Sequence, residues 1–186
     1  MIPHTTAGTS HVAAELYHAF QQINEGDVTE LAERIMKANR VYVAGAGRSG
    51  LMGRAFAMRL MQLGIPVYVV GETVTPAIKT GDLLVIGSGS GETPLLVAFA
   101  QKAAALQVEV ALITLSAHSM IGRIADYTVK LTGARKDQQD AGISLQPMGS
   151  LYEQTLLLFY DVVILSLMQK LEMDTNSMYA NHANLE

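Results

Sequence analysis

Apolar residues fall along the chain in two different periods. Three short runs, Val41-Tyr42-Val43-Ala44, Val67-Tyr68-Val69-Val70 and Leu83-Leu84-Val85-Ile86, are continuous rather than alternating, the pattern of strands covered on both faces of a parallel sheet. Glu109 to Thr114 and Tyr127 to Leu131 extend the series to five. Helix-compatible stretches separate them. Ser49 to Leu63 places Leu51, Ala55, Met58 and Met61 at helical spacing and is closed by Gly64 and Pro66, and Pro94 to Leu106 opens on a proline suited to a first helical turn. The repeated strand-then-helix order predicts an α/β fold: a doubly wound, mostly parallel five-stranded sheet with helices on both faces, a flavodoxin-like three-layer sandwich.

The flanks complete one domain over residues 1–186. Met1 to Thr9 reads as a loose arm, and residues 10–40 as helices. An amphipathic helix is expected over Ser10–Asn24, and a capping box, Asp27-Val28-Thr29-Glu30, opens a second to about Ala38. The α/β core spans 41–171, with a polar loop from Gly133 to Pro147 centred on Lys136-Asp137-Gln138-Gln139-Asp140. The helix from about Ser150 to Leu171 is apolar nearly all round, so it requires cover on more than one face, and a homo-oligomer is expected. Residues 172–186 form a C-terminal tail.

Composition narrows the function. With 186 residues, 49% of them hydrophobic, the chain builds one sizeable core. A net charge of −4 and no run of Lys or Arg remove the basic footprint of nucleic-acid binding. The absence of cysteine excludes thiolate metal sites and a cysteine nucleophile, and suits a reducing cytoplasm. The N-terminus has no signal-peptide pattern. The most apolar segment, Leu156 to Met168, is interrupted by Asp161 and falls short of the roughly 20 residues of a bilayer span, so no membrane partner is expected.

Two loops carry the candidate chemistry. After the third strand, Ser88-Gly89-Ser90-Gly91-Glu92-Thr93 leads into a helix: glycines admit close backbone approach, Ser88, Ser90 and Thr93 offer hydroxyls, and a helix start favours an anion. Ser90 has a second role open to it, as the cap of the following helix. After the first strand, Gly45-Ala46-Gly47-Arg48-Ser49-Gly50 has the G-x-G-x-x-G spacing of half a dinucleotide fingerprint, with Glu72 slightly beyond the distance of a ribose-binding acid. Two such loops at adjacent strand ends make a better phosphate site than either alone. His11 and His18 lack metal-ligand companions, His118 is expected near a loop or helix cap after the fourth strand, and an inter-subunit hydrogen bond is expected of Asp161. The ten methionines are expected to fill gaps in a core or interface.

These loops and the order of elements resemble the sugar isomerase (SIS) domain over nearly the whole chain. Within that superfamily, Pro147-Met148-Gly149-Ser150-Leu151-Tyr152-Glu153 and the terminal His182-Ala183-Asn184-Leu185-Glu186 resemble the 6-phospho-3-hexuloisomerases. The resemblance implies interconversion of D-arabino-hex-3-ulose 6-phosphate and fructose 6-phosphate through an enediol, without metal or organic cofactor, in formaldehyde fixation by the ribulose monophosphate pathway. It implies a phosphate grip from Gly47, Arg48, Ser49, Ser88, Gly89, Ser90, Gly91 and Thr93, with the N–H groups of Gly89 and Gly91 taking part. Arg48 has three roles open to it: pairing with the phosphate, with a sugar oxygen, or across a subunit boundary. Glu153 is the implied base, although Ser150-Leu151-Tyr152-Glu153 also reads as a capping box. His182 is implied to move protons between the sugar oxygens, on a tail that reaches a neighbouring subunit of a tetramer or dimer, and a functional pairing with hexulose-6-phosphate synthase is implied as well. Another phosphosugar isomerase, such as one for arabinose 5-phosphate, and a non-catalytic sugar-phosphate sensor are the alternatives.

Overall fold

The computed structural model describes residues 5–134 and 144–185. The chain runs α1 (Thr5–Phe20), α2 (Glu25–Lys37), β1 (Val41–Gly45), α3 (Gly47–Gln62), β2 (Val67–Val69), β3 (Leu83–Gly87), α4 (Pro94–Ala105), β4 (Glu109–Thr114), β5 (Tyr127–Lys130), α5 (Ser150–Lys170) and α6 (Thr175–Tyr179). The five strands form one parallel sheet in the order β2-β1-β3-β4-β5. The expected doubly wound α/β fold is therefore present, with every pairing parallel.

Alternate strand residues feed two cores, because successive side chains of a strand point to opposite faces. Val41, Val43, Leu83, Val85, Ala111 and Ile113 pack with Leu31 and Ile35 of α2, Phe56 and Leu60 of α3, and Leu156, Phe159 and Val163 of α5. Tyr42, Ala44, Leu84, Ile86, Val110 and Leu112 pack with Leu96, Ala100 and Ala103 of α4. β1 and β3 are neighbours in the sheet, yet the chain visits β2 between them, so the winding reverses there. Gly45 and Gly87, their last residues, stand side by side in register. The two loops singled out in the sequence thus leave adjacent strand ends at the topological switch point, where open α/β sheets bind ligands.

Several local expectations are corrected. α1 begins at Thr5, taking in part of the expected arm, and ends at Phe20; Met1 to His4 lie outside the described residues. α2 is not opened by a capping box at Asp27: Asn24 is its N-cap and accepts from Gly26 N–H, while Asp27 accepts from the Tyr127 hydroxyl at 2.8 Å. On α3, Leu51, Met58 and Met61 form the exposed stripe, and Phe56, Ala57 and Leu60 face the core; methionine's spacing imitated a buried face. Met36, Met58, Met61, Met120 and Met148 are all exposed, so these five fill no gaps in the core of the chain.

α5, with 21 residues, is long and apolar enough to cross a bilayer by length and composition, unlike the shorter segment expected. However, 56% of its most apolar window is buried inside the protein, and it packs against α1, α2 and α3. The chain itself supplies most of the cover that an oligomer was invoked to provide, with Leu165 left exposed. Most of the loop centred on Lys136–Asp140 lies outside the described residues.

Candidate active site

At the carboxyl ends of β1 and β3 lies a cavity of about 390 Å³. Three helices point their N-termini at it: Ala46 and Gly47 of α3, Thr93 and Leu96 of α4, and Gly149 and Tyr152 of α5 line its wall. None of the three has a side-chain cap. By contrast α2 and α6, which contribute nothing to the lining, are capped by Asn24 and Asp174. An uncapped terminus leaves backbone N–H donors without an intrahelical acceptor and forgoes about 1 kcal/mol of capping. Three of them converging on one cavity make an anion site.

The expected phosphate residues divide into those that line the cavity and those that shape it. Gly47, Ser49, Ser88, Gly89, Ser90 and Thr93 line it. Ser88 Oγ accepts from Gly91 N–H at 3.2 Å, so the Gly91 N–H expected to reach a phosphate is used inside the loop. Ser90 Oγ accepts from Glu92 N–H, and Ser90 is not the helix cap, because the N-cap residue is Thr93. Among the described residues nothing accepts from the N–H groups of Gly89 and Ser90. The loop is held from behind by the segment after β4: Gly89 O accepts from Leu115 N–H and from the Thr114 hydroxyl, Gly91 O from Ile121 N–H, and the Glu92 carboxylate from Met120 N–H. Such outside bonding organises the cradle before any ligand arrives.

The other loop is a tight strand-to-helix turn. A Cβ on Gly45 would sit 2.8 Å from Gly50 Cα, and Gly47 has φ +56°. The dinucleotide reading loses its acid, because Glu72 is ion-paired with Arg54 on α3.

Glu153 lies in the first turn of α5, 2% exposed. It does not complete the expected capping box: Gly149 is the N-cap, and Ser150 donates its N–H and its hydroxyl to Pro147 O. Arg48 Nε lies 3.1 Å from Glu153 Oε2, and Arg48 Nη1 donates to Ser150 Oγ at 3.1 Å. Arg48, Gly91 and Glu153 are outside the cavity lining itself but belong to the turns that wall it. The Arg48 side chain is 54% exposed, so the pair has one buried carboxylate and one cation that reaches water.

His182 is placed elsewhere within the chain. With Arg59, Asp161, Met168 and Tyr179 it lines a separate cleft of about 450 Å³ at the far ends of α3 and α5. Helical rise puts that cleft on the order of 15 Å along α5 from Glu153. Its imidazole stacks on Tyr179, and Asn181 Nδ2 donates to Gln62 O. Burial holds the Asp161 carboxyl above its ordinary value, against the opposing pull of Arg59. Of the remaining histidines singled out, His11 pairs with Glu15 and His118 is exposed.

Ala46, Gly87, Leu96, Leu115, Ala134 and Gly149 line the cavity without having been named as site residues, and so does Tyr152, which lies within the motif Pro147–Glu153. A Cβ on Gly89 would meet its ring at 3.0 Å, and one on Gly133 would meet its Cβ at 3.0 Å; its hydroxyl donates to Ile113 O at 2.8 Å. Burial pushes that hydroxyl well above the usual tyrosine range, which suits a structural wall. Gly89 against the ring and Gly133 against the Cα and Cβ of the same residue were the available signal.

Comparison with known proteins identifies the family. The SIS domain matches residues 34–158. The chain belongs to the SIS domain family. Within it, the chain is 46% identical to the 3-hexulose-6-phosphate isomerase of Bacillus subtilis, over 98% of this chain and 99% of the relative, and 40% identical to that of Mycobacterium gastri, over 97% and 91%. A crystal structure of a Methanococcus jannaschii protein, from which a function of 3-hexulose-6-phosphate isomerase was inferred, superposes on this SIS domain with a TM-score of 0.82 at 34% identity, covering 96% of this chain and 98% of that one.

Proposed function

We propose that this chain interconverts D-arabino-hex-3-ulose 6-phosphate and fructose 6-phosphate. The observation that carries the reading is the meeting of three uncapped helix N-termini beside a buried carboxylate, Glu153, that is paired with Arg48. The names of the relatives above point to the same substrate.

In this mechanism the Gly89 and Ser90 N–H groups and the starts of α3 and α4 hold the phosphate, with the hydroxyls of Ser49 and Thr93. The Glu153 carboxylate takes the proton from C2 and returns it to C3. The hydroxyl proton moves from O2 to O3, and the intermediate is the 2,3-enediol. His182 serves that second transfer from a neighbouring subunit, since in its own chain it lies in the far cleft. The exposed stripe of Leu51, Met58 and Met61 on α3 supplies an apolar surface for assembly as a dimer or tetramer. The setting is cytoplasmic formaldehyde fixation through the ribulose monophosphate pathway, in functional pairing with hexulose-6-phosphate synthase.

The test generates the hexulose phosphate from ribulose 5-phosphate and formaldehyde with a synthase and follows fructose 6-phosphate through a coupled dehydrogenase. Turnover by the wild type, lost in Glu153→Gln and in a chain ending at Tyr179, is the expected result. Thermal stabilisation by sugar phosphates without turnover would move the assignment to a sensor, and turnover of arabinose 5-phosphate alone would move it to that isomerase.

A further inference from the structure

α1 packs on α5 but contributes no residue to the cavity lining. Its Glu15 side chain is only 9% exposed and gathers three donors from one short segment: Ser144 Oγ at 2.6 Å, Leu145 N–H at 2.7 Å and Gln146 Nε2 at 3.0 Å. His11 Nε2 lies 3.7 Å away, one turn earlier. Just past α1, Gln22 Oε1 accepts from the Thr132 hydroxyl at 2.7 Å. These ties fall immediately before Ala134 on one side of the cavity and Gly149 on the other, and both of those residues are in its wall.

The segment 144–148 has little else to fix it. Leu145 and Met148 are 64% and 59% exposed, so apolar burial contributes little. Met148 bends the chain into α5 through φ +58°, a conformation that a side chain resists unless its surroundings impose it. Beyond the bend, the Ser150 hydroxyl donates to Pro147 O and accepts from Arg48, and Glu153 N–H donates to Gly149 O. The path from Glu15 to Glu153 is therefore bonded throughout. Burial alone would raise the Glu15 carboxyl, but the bonds from Ser144, Gln146 and Leu145, with His11, outweigh it and keep the group anionic, and an anionic acceptor makes the stronger bonds.

We propose that Glu15 is a positioning residue for the reaction, fixing the turn that sets the start of α5, and with it Glu153, beside the cavity; this rests on the reading of Glu153 as the base. It touches no reacting atom. Its loss should slow the chemical step and spare phosphate binding, because among the described residues the hydrogen bonds and ion pair of Glu15 go to Ser144, Leu145, Gln146 and His11 and none goes to the cradle residues 46–49 and 87–93.

The test compares wild type, E15Q, and the reciprocal E15Q/Q146E, in which the new amide donates to the new carboxylate. Hydrogen exchange of residues 144–153 should rise roughly tenfold in E15Q, the loss of one charge-assisted bond or more, while β1 and β3 stay protected. The kcat on hexulose phosphate should fall roughly tenfold or more with KM within about twofold of wild type, and the reciprocal variant should recover most of both losses. Unchanged exchange in E15Q, a kcat loss no larger than the loss of folded protein, or a loss shared equally by kcat and KM would overturn the proposal. If E15Q does not fold, S144A/Q146A removes two of the three donors and is judged by the same readouts. A wild type without turnover would refute the functional reading instead, and the exchange comparison would still decide whether Glu15 holds the start of α5.

Discussion

Gly91 gives the sharpest test of how the phosphate cradle is built. It has φ +65°, and a Cβ there would stand 2.0 Å from Ser119 Oγ and 2.5 Å from Ser119 Cβ. Ser119 is 2% exposed and its hydroxyl accepts from Gly122 N–H, so it has little room to retreat. Gly91→Ala therefore combines a left-handed backbone cost of about 1–2 kcal/mol with an overpacking cost of about 1–3 kcal/mol. Together these predict a loss of about 2–5 kcal/mol, a fall in Tm on the order of 10 °C for a domain of this size. Removing the obstacle separates the two costs. G91A/S119G should recover the overpacking part, giving a coupling of about 1–3 kcal/mol in a double-mutant cycle measured by urea unfolding, and should leave the backbone cost in place. In the isomerase assay G91A should raise KM for the sugar phosphate more than it lowers kcat, since the loop holding the Gly89 and Ser90 donors is deformed. A coupling near zero, or a G91A protein as stable as wild type, would refute the close packing of the cradle on Ser119.

Three further outcomes are expected. Tyr160 is fully buried with its hydroxyl unpartnered among the described residues while its ring stacks on Phe56 at 4.2 Å, so Tyr160→Phe should leave Tm unchanged or raise it by the equivalent of about 1 kcal/mol; a clear fall would reveal a partner for the hydroxyl. Arg48→Met strips the cation from Glu153 and should lower kcat/KM roughly 10- to 100-fold, with Arg48→Lys intermediate because an ammonium keeps the charge but lacks the planar fork through which Nε and Nη1 meet Glu153 and Ser150; equal rates for all three would show that the pair is idle. Glu15 has its folded-state value lowered below 4.5, so its contribution to stability is present above the unfolded value and is lost as pH falls through the folded one. The stability gap between wild type and E15Q should be constant near neutrality and close below about pH 4, as read from urea midpoints against pH; a gap that persisted at pH 2 would exclude the carboxylate as its source.

The fold was legible because its strands are continuous apolar runs and its helices are punctuated by Pro and Gly. Helix faces were less legible. Leu51, Met58 and Met61 have the spacing of a buried stripe, and what sets them outside is the neighbouring row of Phe56, Ala57 and Leu60, which is the one that meets the sheet and α5. Caps were misplaced for a similar reason: Ser150 and Asp27 have capping-box partners in sequence, but tertiary bonds to Arg48 and Tyr127 engage their side chains. Glycine-rich loops marked the cavity correctly, because close backbone approach is a local property. The tie from Glu15 to residues 144–146 was invisible, since it joins segments far apart in sequence with no motif in common, and Tyr152, although inside the motif Pro147–Glu153, is set in the wall by Gly89 and Gly133, which lie outside that motif.

On the proposed function, a chain of net charge −4 must find positive potential for a sugar phosphate without a lysine cluster, and the helix starts are where the geometry offers it. Each helix N-terminus carries roughly half an elementary charge, so the uncapped starts of α3 and α4 together offer about +1, beside the Gly89 and Ser90 N–H groups, against a phosphate monoester of about −1.5 to −2 near neutral pH. Glu153 would oppose that anion if it stood alone, because like charges repel and the protein interior screens them less than water does. Arg48, at 3.1 Å from the carboxylate, cancels that charge while leaving Glu153 a base. On this reading Arg48 is the counter-ion of Glu153, and the helix starts carry the phosphate. Arg48→Met should then weaken phosphate binding through an uncompensated Glu153, and adding Glu153→Gln should restore binding without restoring turnover. Binding that stayed weak in the double variant would instead make Arg48 a direct phosphate ligand.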